Sequence, residues 1–247
     1  VSGAEDVVEV RRFRLDLPPP EVESLAGLLD VRERARLETL RSAEHRRRFT
    51  VAHARTRQVL GERLDLPPAR VPFHFGPHGK PGLDGDAETR RLRFSLTHSG
   101  ELAVVALSLG REVGVDVEHL DPSRDPVRFA ARWFPPDESA WVAGLATPDR
   151  LRGCLRLWTR KEACVKATGG RLVQGLALRW ARPLTPGRST ARPASRAPGR
   201  SWTSRPARPM RGRSHWRARA PSGCWSAPPA DAPRPCGRGR SDYAFHV

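Results

Sequence analysis

The first 181 residues predict an α/β (α+β) fold, and three observations carry that expectation. Apolar residues alternate with polar ones through Leu92, Phe94 and Leu96, and again through Val113, Val115 and Val117, as half-buried strands require. Elsewhere apolar residues recur at helical spacing, most clearly from Phe49 to Leu64. Residues 182–247 carry neither pattern over most of their length.

Taken in order, residues 7–17 form the first strand, with Val8, Val10, Phe13 and Leu15 as its apolar positions, and Pro18-Pro19-Pro20 ends it. Asp30, followed three residues later by Glu33, marks a helix start. A longer helix opens at Ser42. Phe49, Ala52, Thr56, Val59, Leu60 and Leu64 share one of its faces, and Pro67-Pro68 stops it. Its other faces carry Arg46, Arg47, Arg48, Arg55 and Arg57, which read as solvated. The strand at Leu92 turns at Ser99-Gly100 and returns as the mostly apolar run 102–109. After Gly110, a strand that puts Val113, Val115 and Val117 on one face must put Gly114, Asp116 and Glu118 on the other. Residues 121–126 are a turn or linker. Helices follow at 126–133, 136–145 and 149–168, the last closed by Gly169-Gly170.

Length allows one large or two small domains. No apolar run is long enough for a membrane span or a secretory signal, so a cytoplasmic protein is expected. Cys154, Cys164, Cys224 and Cys236 have no metal-binding or disulfide spacing and are expected to be reduced thiols. The charge is uneven: residues 182–247 hold 14 Arg against Asp231 and Asp242, a net +12 of the chain's +17. They also hold 11 of the 24 Pro, and of Leu, Ile, Val, Phe and Met only Leu184, Met210, Phe245 and Val247. So little apolar area cannot offset the entropy of ordering the segment, so a disordered tail is expected. With 41 Arg and 3 Lys overall, it reads as a frame-shifted, GC-rich segment. The alternative is a basic arm whose Arg neutralise phosphates while Trp202, Trp216 and Trp225 stack on bases.

Four elements carry chemistry. Asp116 and Glu118, at i and i+2 on one strand face, repel each other and favour a cation between them. Magnesium suits such a pair, although alone on an exposed strand the two acids would more often be a solvated face. Glu162 and Lys166 lie one helical turn apart, either as a surface ion pair or as a carboxylate joining a metal site beside a lysine for a phosphate. Gly79-Lys80-Pro81 displays a lysine on a turn, and Thr97-His98-Ser99 displays a histidine at the hairpin.

In this order and spacing the four elements resemble the phosphopantetheinyl transferases of the Sfp type, which activate carrier proteins of polyketide, nonribosomal peptide and fatty acid synthesis. The resemblance spans roughly residues 5–178. It rests on Gly79-Lys80-Pro81, Phe94-Ser95-Leu96-Thr97-His98-Ser99, Gly114-Val115-Asp116-Val117-Glu118 and Trp158-Thr159-Arg160-Lys161-Glu162-Ala163 with Lys166 and Gly169. It implies transfer of the phosphopantetheine arm of coenzyme A to a serine of acyl or peptidyl carrier proteins, with release of adenosine 3′,5′-bisphosphate.

By the same resemblance, Asp116, Glu118 and Glu162 are the magnesium-binding acids, and Lys166 contacts the phosphate and stabilises the leaving nucleotide. Arg48, Lys80, Thr97 and His98 hold the coenzyme's phosphates and ribose. Glu162 or a metal-bound water is the base for the serine, and Glu138 matches a further acid beside the metal. The family's motif Phe-Asn-x-Ser-His-Ser is altered here: Thr97 keeps a hydroxyl, whereas Ser95 lacks the amide. The resemblance also implies two similar α/β halves related by a pseudo-twofold axis, residues 1–112 and 113–181, with the coenzyme between them. The second half is expected to be incomplete and the chain marginal in stability, because the basic tail stands where the family has a closing strand. Carrier choice falls to the helix after Phe129 and the loop around Pro135, on a protein expected to be monomeric. The competing readings are a nucleic-acid-binding protein acting through its tail, and an inactive relative that only binds coenzyme A.

Overall fold

The computed structural model describes residues 7–176, 178–179, 216–219 and 242–247. Strand β1 (Val7–Arg14) ends before the prolines, which then open a helix absent from the sequence expectation, α1 (Pro19–Ala26). Proline at a helix's first positions loses only an amide that would have no partner there. Helix α2 (Val31–Glu38) begins at a reciprocal cap: the Glu33 amide donates to the Asp30 carboxylate at 2.8 Å, and the Asp30 amide donates to the Glu33 carboxylate at 3.0 Å. Helix α3 (Ala43–Leu64) starts at Ser42, as expected, and ends at Asp65 in a left-handed conformation.

A short hairpin of β2 (Phe73–Phe75) and β3 (Pro81–Leu83) carries Gly79 and Lys80, and α4 (Ala87–Arg91) leads into the long hairpin β4 (Leu92–Ser99) and β5 (Leu102–Leu109). After β6 (Asp116–His119) come α5 (Pro126–Trp133), α6 (Pro136–Gly144), α7 (Thr147–Thr168) and α8 (Leu172–Leu176). Two further strands, β7 (Trp216–Arg219) and β8 (Tyr243–His246), complete the described elements. No described helix is long and apolar enough to cross a membrane.

The layers follow from alternation. An antiparallel sheet in the order β4-β5-β1-β7 has two apolar faces. Phe13, Leu15, Phe94, Leu96, Ala103, Val105 and Leu107 meet α3 and the β3 hairpin on one side. Val8, Val10, Val104 and Ala106 meet the two-stranded ribbon β6–β8 on the other. The ribbon alternates in turn. Val115, Val117, Tyr243, Phe245 and Val247 face the sheet, and Asp116 and Glu118, paired across the ladder with His246 and Ala244, face away toward α7. The valine face expected from sequence is therefore present, although Val113 and Val115 precede the ladder itself. Outermost, α5, α6, α7 and α8 close around Ala130, Phe134, Val142, Cys154, Leu157 and Leu176.

Two expectations need correction. Arg57 is not on a solvated face: it is 0% exposed, bound to Asp30 and to Glu33, the latter at 2.6 Å. A helix face defined by apolar spacing alone does not register acids arriving from another element. Most of 182–247 lies outside the described residues, including the basic-arm reading and Cys224 and Cys236. Its last residues nevertheless form β8, with Ala244 and His246 buried. The alternation of Tyr243, Phe245 and Val247 is a short strand signal that averaging over a long arginine-rich segment dilutes. Among the described residues, β8 pairs with β6. Truncation before Tyr243 is expected to lower unfolding stability by at least about 3 kcal/mol, through loss of Phe245 and Val247 burial and of the β6 ladder. Urea denaturation measures this, and an unchanged midpoint would show that β8 contributes nothing.

Candidate active site

The site depends on how closely α7 approaches the segment leading into β6. A Cβ placed on Gly114 would lie 1.9 Å from the Ala163 carbonyl oxygen and 2.5 Å from the Ala167 amide nitrogen, so only glycine fits. That contact seats the helical turn 163–167 against the acid face of the ribbon and brings Glu162 and Lys166 to Asp116 and Glu118. The end of α7 is fixed as well. Gly169 closes it in the left-handed conformation, and Lys80 Nζ donates to the Ala167 carbonyl at 2.6 Å while pairing with Glu112 at 2.5 Å. A cation on the last carbonyls of a helix is favourable for the helix dipole. Lys80, expected from sequence to meet the coenzyme, is engaged here in holding α7.

Lys166 does not pair with Glu162 along the helix. Its ammonium donates to Asp116 Oδ1 at 2.6 Å and to Thr97 Oγ1 at 3.1 Å, and the Thr97 hydroxyl donates to the same Oδ1 at 3.0 Å. Asp116 is 3% exposed, and its second oxygen, Oδ2, is buried and accepts no hydrogen bond among the described residues. Burial pushes the Asp116 carboxyl up to about 6; Lys166 opposes this, and Glu118 and Glu162 add to it. Glu162 is likewise raised, by burial first and then by Glu118, against the pull of Lys166. Glu118 accepts from the Ser99 hydroxyl at 3.1 Å.

The three acids therefore share one neighbourhood and one electrostatic field. Among the described residues, no group of three His, Cys, Asp or Glu side chains is gathered closely enough to hold a metal ion. The donor set still fits a hard cation chemically. A buried carboxylate oxygen without a partner among the described residues, beside Glu118 and beside Glu162, whose carboxyl is raised by burial and by Glu118, is a place where positive charge would be stabilising.

The strand β4 is stitched to β6 by hydroxyls in place of a backbone ladder. Ser95 Oγ accepts from the Val115 amide at 3.2 Å, Thr97 reaches Asp116, and Ser99 Oγ accepts from the His119 amide at 3.1 Å. His98 lies on the opposite face of β4, toward α3. Desolvation first, then its electrostatic interactions with His53, Lys166, Arg48 and His45, push it down to about 4. Arg48 is held by Glu101 at 2.8 Å and by Glu44 at 2.5 Å.

Glu138, expected from sequence beside the metal acids, is committed elsewhere. It is buried with Lys161 Nζ 2.9 Å from its Oε2, and Lys161, 0% exposed, also donates to the carbonyls of Leu176, at 3.1 Å, and Leu178. Trp158 packs edge-on to Phe129 with ring centroids 5.0 Å apart. Within the motif 158–166, Trp158 and Lys161 thus build the helical layer, while Glu162 and Lys166 face the ribbon. Sequence reasoning passed over Lys161, whose only signal was a lysine at a position the helical periodicity would bury.

The family model of the 4′-phosphopantetheinyl transferase superfamily matches residues 112–219. The 4′-phosphopantetheinyl transferase HetI of a Nostoc species is 37% identical over 164 residues, covering 66% of this chain and 69% of the relative. The 4′-phosphopantetheinyl transferase psf-1 of Bacillus pumilus is 28% identical, over 70% of this chain and 71% of its own length. For the 4′-phosphopantetheinyl transferase gsp of Aneurinibacillus migulanus the figures are 31%, 46% and 44%.

Gly114→Ala is expected to force α7 away from β6, at a cost of about 3 kcal/mol in urea unfolding. Loss of the Lys166–Asp116 contact should follow, read as a change in the Lys166 ammonium signal by NMR. A variant with wild-type stability would show that the close approach is not required.

Proposed function

This chain belongs to the 4′-phosphopantetheinyl transferase superfamily, and we propose that it transfers the phosphopantetheine arm of coenzyme A to a serine of an acyl or peptidyl carrier protein, releasing adenosine 3′,5′-bisphosphate. The observation that carries this reading is the contact of Lys166 with Asp116 and Thr97 at a buried carboxylate whose second oxygen has no partner among the described residues. The coenzyme lies between the two proposed halves, residues 1–112 and the part beginning at 113, where β4, β6 and α7 meet.

The chemistry starts from charge. The diphosphate of coenzyme A is anionic, and a serine oxygen cannot approach it until that charge is offset. Lys166 supplies one fixed positive charge at the phosphate. Asp116, Glu118 and Glu162 would hold magnesium, which when bound polarises the diphosphate oxygens. Glu162 takes the proton of the incoming serine. A carboxyl raised above the usual range is the stronger proton acceptor, and burial has raised this one. The Asp116 carboxylate and the Thr97 hydroxyl hold the Lys166 ammonium in place, so little reorganisation is needed when the phosphate arrives. Arg48 on α3 and His98 on the facing side of β4 mark where the nucleotide end of the coenzyme would extend.

Asp116→Ala and Glu162→Ala are each expected to lower transfer at least about a hundredfold while leaving the urea midpoint within about 1 kcal/mol of wild type. The assay incubates the protein with coenzyme A, magnesium and an apo carrier protein and detects the mass of the added arm. Chelation of the metal should abolish the same signal. Transfer by either variant at the wild-type rate would overturn the assignment of the acids.

A further inference from the structure

We propose that His53 is a binding residue for the ribose 3′-phosphate of coenzyme A, pre-set for that contact by the buried carboxylate of Glu33. The proposal rests on the transferase reading above and adds a residue to it that no sequence motif marks.

Glu33 is 6% exposed, and both its oxygens are engaged. Its Oε2 accepts from Arg57 Nε at 2.6 Å and from the Asp30 amide at 3.0 Å, and its Oε1 lies 3.0 Å from His53 Nδ1. Burial would raise this carboxyl, but the bonds from His53, the Asp30 amide and Arg57 outweigh it, and Glu33 stays below the usual carboxylate range. An ionised carboxylate only accepts, so the proton between the two groups sits on His53 Nδ1 and the tautomer is fixed. Nε2 is then the nitrogen available to a ligand. The ring plane is fixed too, because Phe49 stacks on it with centroids 3.9 Å apart and planes 24° apart. The imidazole side chain keeps 29% of its surface open.

His45, Arg48, Phe49, Ala52 and His53, at i, i+3, i+4, i+7 and i+8, share one face of α3. Across from that face stands His98 on β4. After desolvation, His53 is the first influence on His98, ahead of Lys166, Arg48 and His45. A run of basic groups thus extends from Lys166 at the acids, through His98, to His53, His45 and Arg48. The carboxylates along it, Glu44 and Glu101, are taken by Arg48, with Arg47 on Glu101 as well.

Coenzyme A presents two anionic groups. The diphosphate belongs with the acids, because three carboxylates can meet a phosphate only through a cation. The second cluster is built from imidazoles and a guanidinium and can meet a phosphate directly. A phosphate monoester with a second pKa of about 6 can share one proton with Nε2, whichever partner brings it.

The test is calorimetric binding of coenzyme A and of 3′-dephospho-coenzyme A to the wild-type chain and to His53→Asn. The asparagine amide stands where Nδ1 stood and can still donate to Glu33, while Nε2 is removed. Coenzyme A is expected to bind the variant roughly tenfold more weakly, with dephospho-coenzyme A unchanged and the unfolding midpoint retained. His53→Phe, which keeps the stack on Phe49, should show the same selective loss. If both ligands weaken together, or the variants keep the full preference for coenzyme A, the assignment of His53 is overturned. A wild-type chain that binds neither ligand overturns the transferase reading and this proposal with it.

Discussion

A backbone-to-backbone contact at Gly114 is the constraint on which the rest of this molecule depends. Acids on a strand and a lysine on a helix form a site only if the two elements stand closer than side chains normally permit. At Gly114 a single missing methyl group lets the carbonyl of Ala163 approach the strand. Everything facing that seam then falls into reach, with Lys166 on Asp116 and Glu162 within the field of both Asp116 and Glu118. The same logic recurs at Gly175, where a Cβ would meet Val165 at 1.9 Å and the short helix α8 lies close on α7. Helix α7 is thus held from both sides by glycines and at its end by Lys80.

The cost of the site is electrostatic. Asp116 is nearly inaccessible to water, and two other acids act on it, which is why its carboxyl rises to about 6. One ammonium and one hydroxyl compensate a single oxygen of the pair. Such a group is tolerable only on a frame stabilised elsewhere, and here that frame is apolar: the valine face of β6, the sheet beneath it and the closing strand β8. The far-removed Tyr243 and Phe245 therefore matter to chemistry they do not touch, because they hold the back of the ribbon, while Ala244 and His246, paired with Glu118 and Asp116, share the face that carries the acids.

Most of this was legible wherever a pattern is local. Alternation through Val113, Val115 and Val117 located the acid face, the Asp30–Glu33 spacing located a helix cap, and the hairpin β4–β5 followed from two apolar runs around Ser99-Gly100. What remained hidden depends on contacts between distant segments. Arg57 looks like one more charge on a basic helix until Asp30 and Glu33 arrive from α2 to bury it. Lys161 looks like its neighbour Arg160 until Glu138 and two carbonyls of the 176–178 segment surround it. Strand β8 carries a short alternating signal at the end of a long arginine-rich segment, and only its partner β6 gives that signal meaning.

Ser95 shows how a departure from a family pattern can be understood. In sequence, this position departs from the family's motif by lacking an amide. In the fold, Ser95 is 5% exposed, too enclosed to meet a ligand, and its hydroxyl accepts the Val115 amide. Ser99 does the same for His119 four residues further along β4, and Thr97, between them, turns its hydroxyl to Asp116. Three hydroxyls at i, i+2 and i+4 on one strand face thus replace the ladder that β4 and β6 do not form, satisfying two amides and one carboxylate that burial would otherwise strand. An amide side chain at 95 would supply a longer reach and a second polar end to satisfy. Serine supplies the acceptor alone, which is all that the Val115 amide needs.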